Sequence, residues 1–112
     1  MTPQLQNRVS ECHPEGAFWA MYGRAALNLP KKVKSKSFPA GLAERRALLL
    51  KAGFTESFLD AHLFRRAEAG ADDFLDACAC AWSARRIVRG EATRFPEQPL
   101  TDPRGLRMEI CV

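Results

Sequence analysis

No apolar run in this 112-residue chain approaches membrane-spanning length, so a transmembrane helix is not expected. Residues Met1 to Arg8 hold no apolar core; a secretory signal is not expected either, and a cytoplasmic protein is. Cysteine is scarce and poorly spaced for chemistry. Cys12, Cys78, Cys80 and Cys111 contain no Cys-x-x-Cys pair, and reduced thiols used as small apolar residues are the expectation. A zinc site built on Cys12 and His13 lacks partners at a usable spacing. There is no internal repeat and no internal domain boundary, so residues 1–112 read as one small domain. Charge of one sign is not extreme. The net charge is +4 and the isoelectric point about 9.1, a small excess that favours anionic partners such as nucleic acid.

What is present is an ordinary globular composition, 46% hydrophobic and 27% charged, which argues against wholesale disorder. Arg8 to Cys12 reads as a short strand. Pro14 fits the first position of a helix that carries Glu15 in its first turn and stops at Gly23. Ala25 to Leu29 reads as a second short strand. Lys31 to Lys36 is a basic loop, open to phosphate contact or simply solvated. Gly41 to Ala52 is a helix capped by Gly53. Thr55 or Ser57 starts another, which holds Phe58, Leu59, Leu63 and Phe64 and ends before Gly70. The main helix is expected over Asp72 to Arg89, with Asp72 as its N-cap and Gly90 after it. Pro96, Pro99 and Pro103 enforce an extended connector, and Leu106 to Val112 reads as a terminal strand. The fold class is therefore α/β, here a helix-rich α+β chain with few strands.

Two acidic positions carry most of the chemistry. Glu11 ends the first strand, and Asp72-Asp73-Phe74-Leu75-Asp76 opens the main helix. At about 100° per residue, Asp73, Asp76, Ala77, Cys80 and Ala84 share one stripe. Small residues there predict close packing on the Glu11 strand, and acids at its head need a cation or donors to neutralise them. Plainer roles stand beside these. Asp72 suits an N-cap, Asp73 the helix dipole, and Glu11 an exposed strand end. His13 suits a local hydrogen bond, His62 a surface or boundary position. Trp19 and Trp82 suit a core. Arg85, Arg86 and Arg89 suit a helix C-terminus whether or not they meet a nucleic-acid backbone.

The ordered set Glu11-Cys12-His13-Pro14-Glu15, Ala17-Phe18-Trp19, Lys31-Lys32, Gly41, Arg45, Asp73-Phe74-Leu75-Asp76-Ala77, Ala81-Trp82, Ala84-Arg85 and Gly105-Leu106-Arg107-Met108-Glu109-Ile110 resembles the predicted nucleases with an RNase H-like fold known as domain of unknown function 429. The resemblance runs from about Leu5 to the C-terminus. It implies a mixed α/β layer architecture and phosphodiester cleavage dependent on Mg²⁺ or Mn²⁺. It also implies Glu11, Asp73 and Asp76 as metal-binding catalytic acids. Members of that family begin with a glycine- and aspartate-containing first strand, whereas no acid precedes Glu11 here.

The chain therefore resembles a C-terminal portion of such a domain, expected to be inactive alone. Its expected partners are nucleic acid, a missing N-terminal half or a second copy of itself. A non-catalytic remnant and a small basic nucleic-acid-binding module are the alternatives. If the metal reading holds, the carboxylates of Glu11, Asp73 and Asp76 converge within about 4–8 Å.

Overall fold

A computed structural model describes residues 1–61 and 70–112. Helix α1 spans Pro14–Met21, α2 Pro39–Lys51, α3 Glu56–Asp60 and α4 Ala71–Val88. The strands come in antiparallel pairs, β1 (Lys32–Val33) with β2 (Lys36–Ser37) and β3 (Arg94–Phe95) with β4 (Ile110–Cys111). The architecture is α+β and predominantly helical. Helix α4 packs on α1 and α2 around a core of Ala17, Phe18, Leu48, Leu49, Leu59, Leu75, Cys78, Ala79 and Val112. No helix among the described residues is long and apolar enough to cross a membrane.

Local chemistry explains the helix limits. Pro14 and Pro39 stand in the first turn of α1 and α2, where a missing N–H costs nothing. Gly53 and Gly90 follow α2 and α4 with φ of 109° and 71°, a region glycine enters freely. Thr55 Oγ1 accepts the Phe58 N–H at 3.2 Å and caps α3. Ala61 is extended after it. The expected continuation through Leu63 and Phe64, and the reading of His62, fall outside the described residues.

Several expectations need correction. Arg8 to Cys12 is not a strand. Leu5–Asn7 forms a 3-10 turn, and the extended residues beyond it meet β4 by one bond, Cys111 N–H to the Glu11 carbonyl at 2.8 Å. One bond is not a ladder. Ala25 to Leu29 also forms no strand; side chains of α2 take up the backbone groups of Asn28 and Leu29. The basic loop is the β1–β2 hairpin. Lys34 and Ser35 both have positive φ, 50° and 64°, the signature of a type I′ turn without its usual Asn-Gly. The terminal strand shortens to Ile110–Cys111, flanked by mutual hydrogen bonds of Thr93 and Val112 at 2.7 and 2.9 Å.

The main helix starts one residue early. Gly70 is its N-cap, and Asp72 is already inside the first turn. The packed face also differs from the expected one. Asp72, Leu75, Cys78, Ala79 and Ser83 are buried, whereas Asp73, Ala77 and Ala84 are exposed. The alanines of the small-residue stripe therefore face water while Asp76 and Cys80 are half-buried, and Leu75, Cys78 and Ala79 mark the side that turns inward. Trp19 and Trp82 are only half-buried.

Candidate functional site

The polar centre of the molecule begins on α2. Arg45 is buried and lies on the inner face of that helix. Its guanidinium forms a bidentate pair with Glu15 of α1, at 2.9 and 2.7 Å. Its remaining donor group reaches the Leu29 carbonyl at 2.9 Å and the Gly41 carbonyl at 3.0 Å. The preceding residue, Glu44, accepts the N–H groups of Asn28 and Leu29 at 3.3 and 3.2 Å. Helix α2 thus clamps residues 28–30 by donor and acceptor together. Gly41 makes the approach feasible, since a Cβ there would stand 1.7 Å from the Pro30 carbonyl oxygen. The hydrogen bonds from Arg45 hold the Glu15 carboxyl below its ordinary range, against the opposing effect of burial.

The clamp delivers the β1–β2 hairpin to the N-terminal end of α4. Lys31 Nζ meets Asp76 Oδ2 at 2.5 Å. Lys32 Nζ meets Asp72 Oδ2 at 3.1 Å. Burial works against the Asp72 carboxylate, but the hydrogen bond and charge of Lys32 hold it below its ordinary range. The acids that open this helix are therefore neutralised by ammonium groups of the chain itself, with the positive end of the helix dipole adding to them. Asp76 also lies close to Cys80, whose thiol is pushed up to about 11 by burial, a hydrogen bond with Cys12 and the Asp76 charge.

The expected metal ligands take separate roles. Asp73 is exposed, and its Oδ2 accepts the Gly70 N–H at 2.8 Å, which is a capping role. Asp76 pairs with Lys31. Glu11 is exposed and lines a different groove of about 570 Å³ with Ser10, Arg107 and Glu109. Among the described residues, no group of three or more His, Cys, Asp or Glu side chains is arranged to hold a metal ion. The donor set thus does not fit Mg²⁺ or Mn²⁺, which demand several oxygens converging on one point. The contrary sign is Asp76 Oδ1, buried without a hydrogen-bond partner. A single oxygen beside an ammonium does not make such a site.

The other end of α4 differs in kind. Arg85, Arg86 and Arg89 lie with Trp82, Ala52 and Glu91 around a groove of about 210 Å³. The Arg86 guanidinium stacks over the Trp82 ring, 4.7 Å from its centroid, and donates to the Glu91 carbonyl at 2.7 Å. One residue further on, Ala92 enters the wall of a larger groove of about 620 Å³, with Arg24, Thr93, Arg94, Phe95 and Glu97. Arg24 lies over Trp19 at 5.4 Å, and Trp19 meets Phe95 edge to face at 5.7 Å. Among the described residues, Arg24, Arg85, Arg86 and Arg89 form no ion pair. Arg85, Arg86 and Arg89 were visible in the sequence as a cluster. Arg24, remote from α4 in the chain, and Phe95, in the strand that follows it, were not.

Set against known proteins, residues 1–101 match the family described as Protein of unknown function (DUF429). No curated protein and no solved structure matches the chain.

Proposed function

The chain belongs to the family Protein of unknown function (DUF429), and on that premise we propose that it binds nucleic acid through the C-terminal end of α4. The observation that carries this reading is the set Arg85, Arg86 and Arg89. These guanidiniums project from the last turns of one helix beside Trp82, with no acidic side chain paired to them among the described residues. Guanidinium is the group best suited to phosphate, because its planar donors match two phosphate oxygens at once. The excess of basic residues over the whole chain points the same way.

Fluorescence anisotropy with labelled oligonucleotides across a salt series tests the reading. Affinity should fall linearly on a log–log plot as salt rises. Arg85→Glu with Arg89→Glu should reduce the slope by about 1.4 to 1.8, the value for two lost phosphate contacts. Salt-independent binding, or none, would sink the proposal.

The stronger form is that of an RNase H-like nuclease, which rests on the order of motifs alone. Its carboxylates, Glu11, Asp73 and Asp76, are divided among a groove, a helix cap and a lysine pair. Self-association is a second reading. Met1, Val9, Phe95 and Met108 are exposed apolar residues, and all line the groove that holds Glu11. Exposed apolar surface of that kind marks interaction sites. Light scattering after gel filtration would show a dimer if this groove is covered by a second copy.

A further inference from the structure

The groove of about 620 Å³ beside β3 differs from a plain phosphate-binding surface. Its wall includes an aromatic ring, Phe95, that is 42% exposed. Phe95 is held upright by Trp19, which meets it at an interplanar angle of 74°. Trp19 is in turn covered by Arg24, so a guanidinium and a ring stand side by side at the mouth. Arg94 is the neighbouring cation. It pairs with Glu109 at 2.8 Å and keeps 45% of its side chain exposed. Thr93 adds a hydroxyl to the wall, and Glu97 is its acidic residue. Ala92 in its wall directly follows Glu91, which lines the groove of the α4 arginines.

Resting on the nucleic-acid reading above, we infer that this groove receives an unpaired base of a single strand. The base stacks on Phe95, while Arg24 and the α4 arginines hold the flanking phosphates. The physical reason is that duplex bases already stack on one another and offer no free face, whereas an unpaired base does. Stacking on an aromatic ring tolerates any base, and the arginines track a backbone that is the same throughout. A duplex would meet the same arginines and leave the Phe95 ring unused. The prediction is thus a preference between forms of nucleic acid, not merely an affinity.

Anisotropy with a labelled oligo(dT) of about 12 nucleotides, the matching duplex and an oligo(U) of equal length tests this at one salt concentration. Wild-type protein should bind the single strands about tenfold or more tightly than the duplex. Phe95→Leu, which keeps apolar bulk at the Trp19 contact, should erase most of that preference while duplex binding stays unchanged. Phe95→Tyr should retain it. Comparison of oligo(dT) with oligo(U) tells whether DNA or RNA is favoured. Equal affinity for single strand and duplex would overturn this inference and leave the broader reading standing. So would a preference untouched by Phe95→Leu in a protein with a wild-type melting curve. Absence of binding to every probe would overturn both.

Discussion

The two ends of α4 carry comparable numbers of charges and use them differently. At the N-terminal end, Asp72 and Asp76 are matched by Lys32 and Lys31, and the pairing fixes a hairpin that α2 has already clamped. At the C-terminal end, Arg85, Arg86 and Arg89 lie over and beside Trp82 without acidic partners among the described residues. The first end is an internal fastening, so its charges answer to the fold. The second leaves positive charge facing outward, so its charges answer to whatever approaches. Paired charges reveal little about ligands, whereas unpaired ones beside aromatic rings do.

The comparison breaks most sharply at Arg45. Arg45→Ala removes the bonds to Glu15, Leu29 and Gly41 together. A loss of about 3 kcal/mol is expected, read as a melting temperature lowered by more than about 10 °C in circular dichroism. Glu15 keeps 35% of its side chain exposed, which keeps the loss toward the lower end for a broken buried pair. A variant that melts like wild type would show that the clamp is not what holds the hairpin.

Acidification attacks the same fastening more gently. Glu15, Asp72 and Glu109 all have carboxyls held below their ordinary values. For Glu109, burial opposes the shift while hydrogen bonds from Arg107 and Arg94 produce it. The stability such groups contribute is complete above the ordinary values, 4.5 for Glu and 3.8 for Asp. It is lost as pH falls below them toward the folded-state values. Chemical denaturation at stepped pH should therefore show a plateau above the Glu value and a decline below it. Glu15→Gln should shrink the decline.

The C-terminal end should respond in the opposite currency, binding rather than stability. Arg85→Glu with Arg89→Glu is expected to weaken oligonucleotide binding by at least about tenfold. Stability should change by less than about 1 kcal/mol, the range of helix-dipole and surface effects. A large stability loss without a binding loss would reverse the assignment of the two ends.

Asp76 sharpens the contrast from the other side. Asp76→Asn breaks a partly exposed pair, for about 1 kcal/mol at most. Oligonucleotide binding should not weaken. No Mg²⁺- or Mn²⁺-dependent cleavage is expected of the purified chain. Cleavage that vanished in both Glu11→Ala and Asp76→Ala would restore the metal reading. The smallest expected effect is that of Mg²⁺ itself. It should leave the melting temperature unchanged, since a ligand bound by the native state alone would raise it.

Much of the helical framework was legible because its signals are local. Pro14, Gly53 and Gly90 impose backbone conformations that depend on one residue and its neighbours. The face of α4 was not legible. Alanine is tolerated equally inside and outside, so the repeated alanines gave no direction, and the side carrying Leu75, Cys78 and Ala79 turned inward instead. The hairpin was missed for a related reason, since Lys34-Ser35 carries none of the usual turn chemistry.

The candidate site divides in the same way. Sequence by itself determined that arginines would cluster at the end of the long helix, because residues spaced by one to four positions share that end wherever the helix packs. It also placed acids at the other end, but which of them would be buried it did not determine, since Asp72 is buried and Asp73 exposed. What supplies the neutralising charge was decided only by tertiary structure. The partners Lys31 and Lys32 lie some 40 residues away in the chain (Lys31 and Asp76 are 45 apart), and only the close passage of Pro30 over Gly41 brings them there. The meeting of Arg24, Trp19 and Phe95 has the same origin. Local spacing fixes which residues share one helix end, but contacts between distant segments depend on packing, and packing is a property of the whole chain.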